Sequence, residues 1–187
     1  MGAHHPDLSH RHLLRTSCLM NAFSEKSDAI WDRRDRYSDL TPAGPDWIVV
    51  GHDGSPHADR ALQSALNLAD TLGAGILLVR AWTIDTLQRG HVMRDGAVAS
   101  YEEISEQVRD ELRAQTESIC AAAADVRVRY RGVLGQPAEV LIAIANGARM
   151  LVVGSRGWGG FSSLLLGSVS EQCMHHATCP VLIVRGS

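Results

Sequence analysis

The chain has 187 residues, of which 45% are hydrophobic and 21% charged, with a formal net charge of −3. This suits one soluble domain with a modest appendage, and the near-neutral charge argues against a nucleic-acid or anionic-lipid partner. No apolar run nears the roughly 20 residues that span a bilayer, Arg15 interrupts Leu13-Leu14 before a signal core can form, and Pro6 spoils a myristoylation motif after Gly2, so the cytoplasm is the expected location.

Residues 1–45 read as a flexible N-terminal arm, with 46–187 as the domain. The arm carries four of the nine histidines, His4, His5, His10 and His12. They are read as a solvated tail in preference to an adventitious metal site. A short exposed helix is allowed over 29–37, Met20 is a second candidate start, and Thr41-Pro42-Ala43-Gly44-Pro45 reads as a linker or turn. Lys26 is the only lysine in the chain. A Walker A loop needs Gly-Lys-Ser/Thr and Schiff-base catalysis needs a lysine amine. From Trp47 onward, any phosphate must therefore be held by backbone amides, hydroxyls or arginine.

Regular structure is predicted from Trp47. The apolar run 47–51 reads as a strand buried on both faces. Asp53-Gly54-Ser55-Pro56 turns into a helix with Ala61, Leu62, Ala65, Leu66, Ala69 and Leu72 at helical spacing, stopped by Gly73. Ile76 to Val79 is a second strand continuing to Trp82, and 83–96 is a long polar connection. Tyr101, Ile104, Val108, Leu112 and Ile119 stripe a second helix. Val126 to Tyr130 alternates, as an outer strand does. Gln136-Pro137 opens a third helix, Met150 to Gly154 is a fourth strand, 155–167 a glycine-rich loop, 168–176 a helix and Val181 to Val184 the last strand. Strands alternating with helices imply a parallel α/β sheet with right-handed crossovers and helices on both faces. Cys18, Cys120, Cys173 and Cys179 form no C-x-x-C pair and read as reduced and idle.

Ligands of such sheets bind beyond the strands' carboxyl ends, where the winding reverses. Two strand ends are unusual there: Gly51-His52-Asp53-Gly54-Ser55 and Gly154-Ser155-Arg156-Gly157-Trp158-Gly159-Gly160. The glycines of the second loop permit close backbone approach or positive φ. Ser168-x-x-Glu171 reads as a capping box at a helix start, where free amides face an anion, with Ser168 and Ser170 adding hydroxyls. Asp53 serves either the turn or a ligand. Arg156 is a solvated charge or an anion contact. His52 and His57 read as turn and helix-start residues, and adjacent His175-His176 make a poor metal pair.

Gly154-x2-Gly157-x9-Gly167-Ser168 resembles the G-x2-G-x9-G-[S/T] motif of the universal stress protein family. So do Ile48 to Ser55, Gly132 to Pro137 and Cys179 to Val184, and the resemblance covers roughly 46–185. It implies a Rossmann-like, open five-stranded sheet in order 3-2-1-4-5 and membership of the ATP-binding branch. It further implies that Gly51 and Asp53 face adenosine and that Ala81 meets the adenine edge. Val153 and Gly154 would line the nucleoside, Arg156 and Gly157 approach ribose and phosphate, and Gly167, Ser168, Val169 and Ser170 hold phosphates. Mg²⁺ or Mn²⁺ would arrive on the ATP, and Trp158 is a lid or, by preference, packing. A homodimer through the edge strand Pro180 to Arg185 is expected, the alternative being an edge covered by the arm. The preferred role is a nucleotide-dependent regulatory binding module in stress response. A slow ATPase or nucleotidyl-transfer enzyme, and a nucleotide-free dimeric scaffold, are the alternatives. ATP, ADP and cyclic AMP are not distinguished.

Overall fold

The structure, a computed structural model, describes residues 40–86, 93–94, 97–158 and 166–186. Packing divides the chain into two units, Met1–Asp39 and Leu40–Ser187. The readings made on 1–39, including the arm's histidines and the helix over 29–37, fall outside the described residues, as does 159–165 with Gly159 and Gly160.

Five apolar segments build one sheet: β1 (Trp47–Gly51), β2 (Gly75–Trp82), β3 (Val128–Leu134), β4 (Met150–Gly154) and β5 (Val181–Val184). All neighbours are parallel, in the order β3-β2-β1-β4-β5, which is the expected 3-2-1-4-5. Helices α1 (Pro56–Leu72), α2 (Tyr101–Ala121), α3 (Pro137–Ile144) and α4 (Ser168–His176) make the crossovers. Alternate strand residues feed opposite layers, because side chains alternate across a strand. Ile48, Val50, Ile76, Leu78 and Val152 pack with Ala61, Leu62, Ala65 and Leu66 of α1 and Leu112 of α2. Val49, Leu77, Leu151 and Val153 are buried with Ala138, Val140, Leu141 and Ile144 of α3.

The helix ends follow the local chemistry. Ser55 Oγ accepts the Ala58 N–H at 3.2 Å to cap α1, and Gly73, at φ +63°, closes it. Ser100 and Glu103 form a reciprocal capping box on α2, at 3.2 and 2.7 Å.

Three expectations need correction. β3 runs to Leu134 instead of ending at Tyr130. Gly132, which looks like a turn, sits inside the strand because α2 passes so close that a Cβ there would lie 2.1 Å from Ser105 O. The connection after β2 contains a 3₁₀ turn, Ile84–Thr86, and an antiparallel pair of two-residue strands, Met93–Arg94 and Ala97–Val98. Residues 41–45 are tied to the domain: Ala43 N–H donates to Ile144 O at 2.9 Å, Arg131 Nη1 to Thr41 O at 2.8 Å, and Arg149 Nε to Pro45 O at 3.2 Å.

Cys173 is fully buried, and burial pushes its thiol up to about 11, so it is an inert packing group. Among the described residues no helix is long and apolar enough to cross a membrane, and no group of three or more His, Cys, Asp or Glu side chains is arranged to hold a metal.

Candidate functional site

β1 is flanked by β2 on one side and β4 on the other, and crossovers leave it in opposite directions. Their carboxyl ends therefore diverge into a crevice. A cavity of about 930 Å³ opens there. Gly51, Asp53, Ala81, Val153, Gly154, Arg156, Gly157, Gly167, Ser168, Val169 and Ser170 all line it. The structure thus gathers around one space the eleven residues that the resemblance assigns to the nucleotide.

The three motif glycines owe their identity to different neighbours. A Cβ on Gly154 would lie 2.9 Å from the His57 backbone, so this glycine lets β4 pack on the start of α1. A Cβ on Gly157 would strike Asp53 Oδ2 at 2.2 Å. At Gly167 a Cβ would meet only ordinary contacts among the described residues, at 3.5 Å or more, and φ is −78°. Neither Gly154 nor Gly157 uses the positive φ that the sequence allowed.

Helix α4 begins one residue earlier than the capping-box reading supposes. Gly167 is the N-cap, Ser168 the first helical residue, and no side chain caps the end. The correction matters chemically. The N–H groups of Ser168, Val169 and Ser170 have no acceptor within the helix, and no serine oxygen replaces one. Gly167 N–H is spent on Ser155 O at 2.8 Å, so Gly167 supplies space and not a donor. Ser170 Oγ donates to Gly154 O at 2.6 Å, which ties α4 to β4 and takes its hydroxyl proton from the cavity. Arg156 lines the same end, half-buried, with no ion-pair partner among the described residues.

Asp53 joins the two loops. Its Oδ1 accepts the Ser55 N–H at 3.0 Å, and its Oδ2 accepts the Trp158 N–H at 3.3 Å. Trp158 Nε1 donates to Asp53 O at 3.0 Å. The preferred packing role for Trp158 fails, because the residue is 75% exposed. Its indole is tied to the cavity by the Nε1 hydrogen bond to Asp53 O.

Sequence reasoning missed a second layer. Arg80 and Gln115 also line the cavity. Arg80 Nη2 donates to Gln115 Oε1 at 2.8 Å and Arg80 Nε to His52 O at 3.2 Å. His52, read as a turn residue, is buried, with Nε2 3.0 Å from Asp59 Oδ1. Burial first, and then the Arg80 charge, hold its pKa below the ordinary value. The sign follows from linkage. The unfolded chain binds the His52 proton more readily, so this group's stability is fully present above about pH 6.5 and is lost progressively as the pH falls. The sequence signal for this layer is a charged residue, Arg80, inside an otherwise apolar strand, one residue before Ala81.

The sequence profile of the universal stress protein family matches residues 46–185. The chain belongs to the universal stress protein family. It is 36% identical over 138 residues to a universal stress protein of Mycolicibacterium smegmatis, covering 74% of this chain and 45% of that one. It is also 36% identical over 140 residues to a universal stress protein of Thermus aquaticus, covering 74% of this chain and 97% of that one. The chain thus spans about half the length of the mycobacterial relative and nearly all of the Thermus one. Among solved folds, a universal stress protein in complex with cyclic AMP superimposes with a TM-score of 0.54 at 25% identity, over 78% of this chain and 100% of that one.

Proposed function

We propose that this universal stress protein domain binds ATP and acts as a nucleotide-dependent regulatory module in stress response. The observation that carries the reading is the uncapped start of α4. Three amides without helical acceptors, and an arginine with no ion-pair partner among the described residues, border a cavity, next to a glycine that neither its φ nor a described neighbour demands. Helix N-termini of this kind favour phosphate through both the amides and the helix dipole. In this reading Gly51, Asp53 and Ala81 border adenosine, and Val153 and Gly154 line the nucleoside side. Arg156, Gly157 and the amides of Ser168 to Ser170 receive the phosphates. The cyclic AMP complex of the similar fold supports an adenine nucleotide. The described donors at the phosphate end are amides, a hydroxyl and a guanidinium, so Mg²⁺ or Mn²⁺ would be carried by the phosphates, with few protein ligands.

Binding is favoured over hydrolysis by the state of Asp53. Each of its oxygens accepts an N–H bond that commits the carboxylate to joining the two loops. Mass spectrometry of the natively purified chain, followed by calorimetry, tests the reading: co-purified ATP and micromolar binding support it, and an empty site under millimolar ATP overturns it.

The same reading includes a cytoplasmic homodimer. Among the described residues β5 has one neighbour, β4, and is half-buried along its length, so its outer edge can pair with a second copy. Ile183→Pro removes one edge donor. Sedimentation equilibrium should show a dimer for the parent chain and for a chain lacking residues 1–39, and a monomer for Ile183→Pro. A parent monomer would contradict it.

A further inference from the structure

His52 sits at the junction of β1 and the Asp53 turn, with a side chain only 1% exposed. Two donors converge on its Nδ1: the Gly54 N–H at 3.1 Å and Arg80 Nη2 at 3.2 Å. An acceptor at Nδ1 requires the neutral ring with its proton on Nε2, and that proton points to Asp59 Oδ1. A second proton would put an N–H at Nδ1 against two other donors. Four charged groups decide the balance. Arg80 from β2 opposes protonation, Asp59 from α1 and Asp53 from the turn favour it, and Glu111 from α2 acts through Arg80. Burial and Arg80 prevail.

The turn that His52 holds depends on a residue in the left-handed region. Gly54 is at φ +87°, and a Cβ there would lie 3.4 to 3.5 Å from Arg80 Nη2, Gln115 Oε1 and Trp158 Nε1. Asp53, one residue earlier, carries both hydrogen bonds to Trp158 across the cavity mouth. Displacing the Gly54 amide therefore moves the carboxylate that joins the two loops.

We propose that His52 is a proton-operated positioning residue: neutral, it fixes the Asp53–Ser55 turn that borders the nucleoside, and protonated, it releases that turn and weakens nucleotide binding. The proposal rests on the nucleotide reading above. Acidification thus empties the site.

The test uses the full chain and cyclic AMP, whose phosphodiester keeps one charge through the range. Calorimetry should show affinity falling in the parent protein as the pH is lowered from roughly 7.5 to 5, by more than the twofold allowed to the asparagine variant below. His52→Asn keeps an acceptor near Nδ1 but cannot gain a proton. Its affinity, whatever its starting value, should stay within about twofold over the same range. Arg80→Gln leaves His52 in place and should move the parent's transition to higher pH, which keeps the test open if the asparagine variant fails to fold. In the ligand-free protein the Gly54 amide resonance should titrate with the His52 ring. A flat parent profile, or the same fall in a folded His52→Asn protein, overturns the proposal. If the parent binds neither cyclic AMP nor ATP at any pH, the nucleotide reading fails instead. A Gly54 amide that ignores His52 protonation then overturns the positioning role as well.

Discussion

Gly167→Val is expected to weaken ATP binding about 100-fold or more while the domain stays folded. Among the described residues the fold does not call for this glycine, since φ is −78° and a Cβ would find its nearest neighbours at 3.5 Å or more, the Arg156 Cα among them. The space that valine would fill is the approach to the amides of Ser168, Val169 and Ser170. Hydrogen bonds to a charged acceptor contribute about 1.5–3 kcal/mol each, so losing one or two suffices for the stated factor. The cost to folding is the exchange of an N-cap glycine for a β-branched residue, about 1 kcal/mol. Calorimetry for affinity and urea unfolding for stability separate the two effects. A variant that unfolds, or one that binds ATP as the parent does, contradicts the assignment.

Gly132→Ala should do the reverse and destabilise the domain by about 3 kcal/mol, near the upper end of what overpacking usually costs. Its Cβ would lie 2.1 Å from Ser105 O and 2.9 Å from Arg109 N, both main-chain atoms of α2. A rotamer change cannot relieve a clash with backbone. The helix must lift from β3, which loosens the layer where Leu112 packs against Ile76 and Leu78. Chemical denaturation reads the shift directly, and a loss below about 1 kcal/mol would mean that α2 is free to slide.

The sheet was legible because its strands are short apolar runs and its helices carry regular apolar stripes; Ile48 to Val50 and Ala61 to Ala69 declare their layers without help. The site was legible through glycine spacing, yet spacing could not say why each glycine is there. Gly154 serves packing against His57, Gly157 spares the Asp53 carboxylate, and Gly167 keeps a helix end open. The same Ser-x-x-Glu pattern occurs at Ser100 and Ser168, but only the first forms a capping box, because the second serine lies inside the helix by one residue. A boundary error of one residue converts a satisfied helix end into an open one. The relay of Asp59, His52, Arg80 and Gln115 was illegible for another reason. Arg80 is 28 positions from His52 and 35 from Gln115, and only the sheet register of Gly51 beside Val79 brings them together.

Backbone amide resonances, followed while the labelled protein is titrated with ATP and separately with adenosine, reach the phosphate cradle most directly. ATP should shift the amides of Ser168, Val169 and Ser170 strongly, whereas adenosine should move the neighbourhood of Asp53 and Ala81 and leave α4 in place. Saturating ATP that leaves those three amides unmoved would contradict the account.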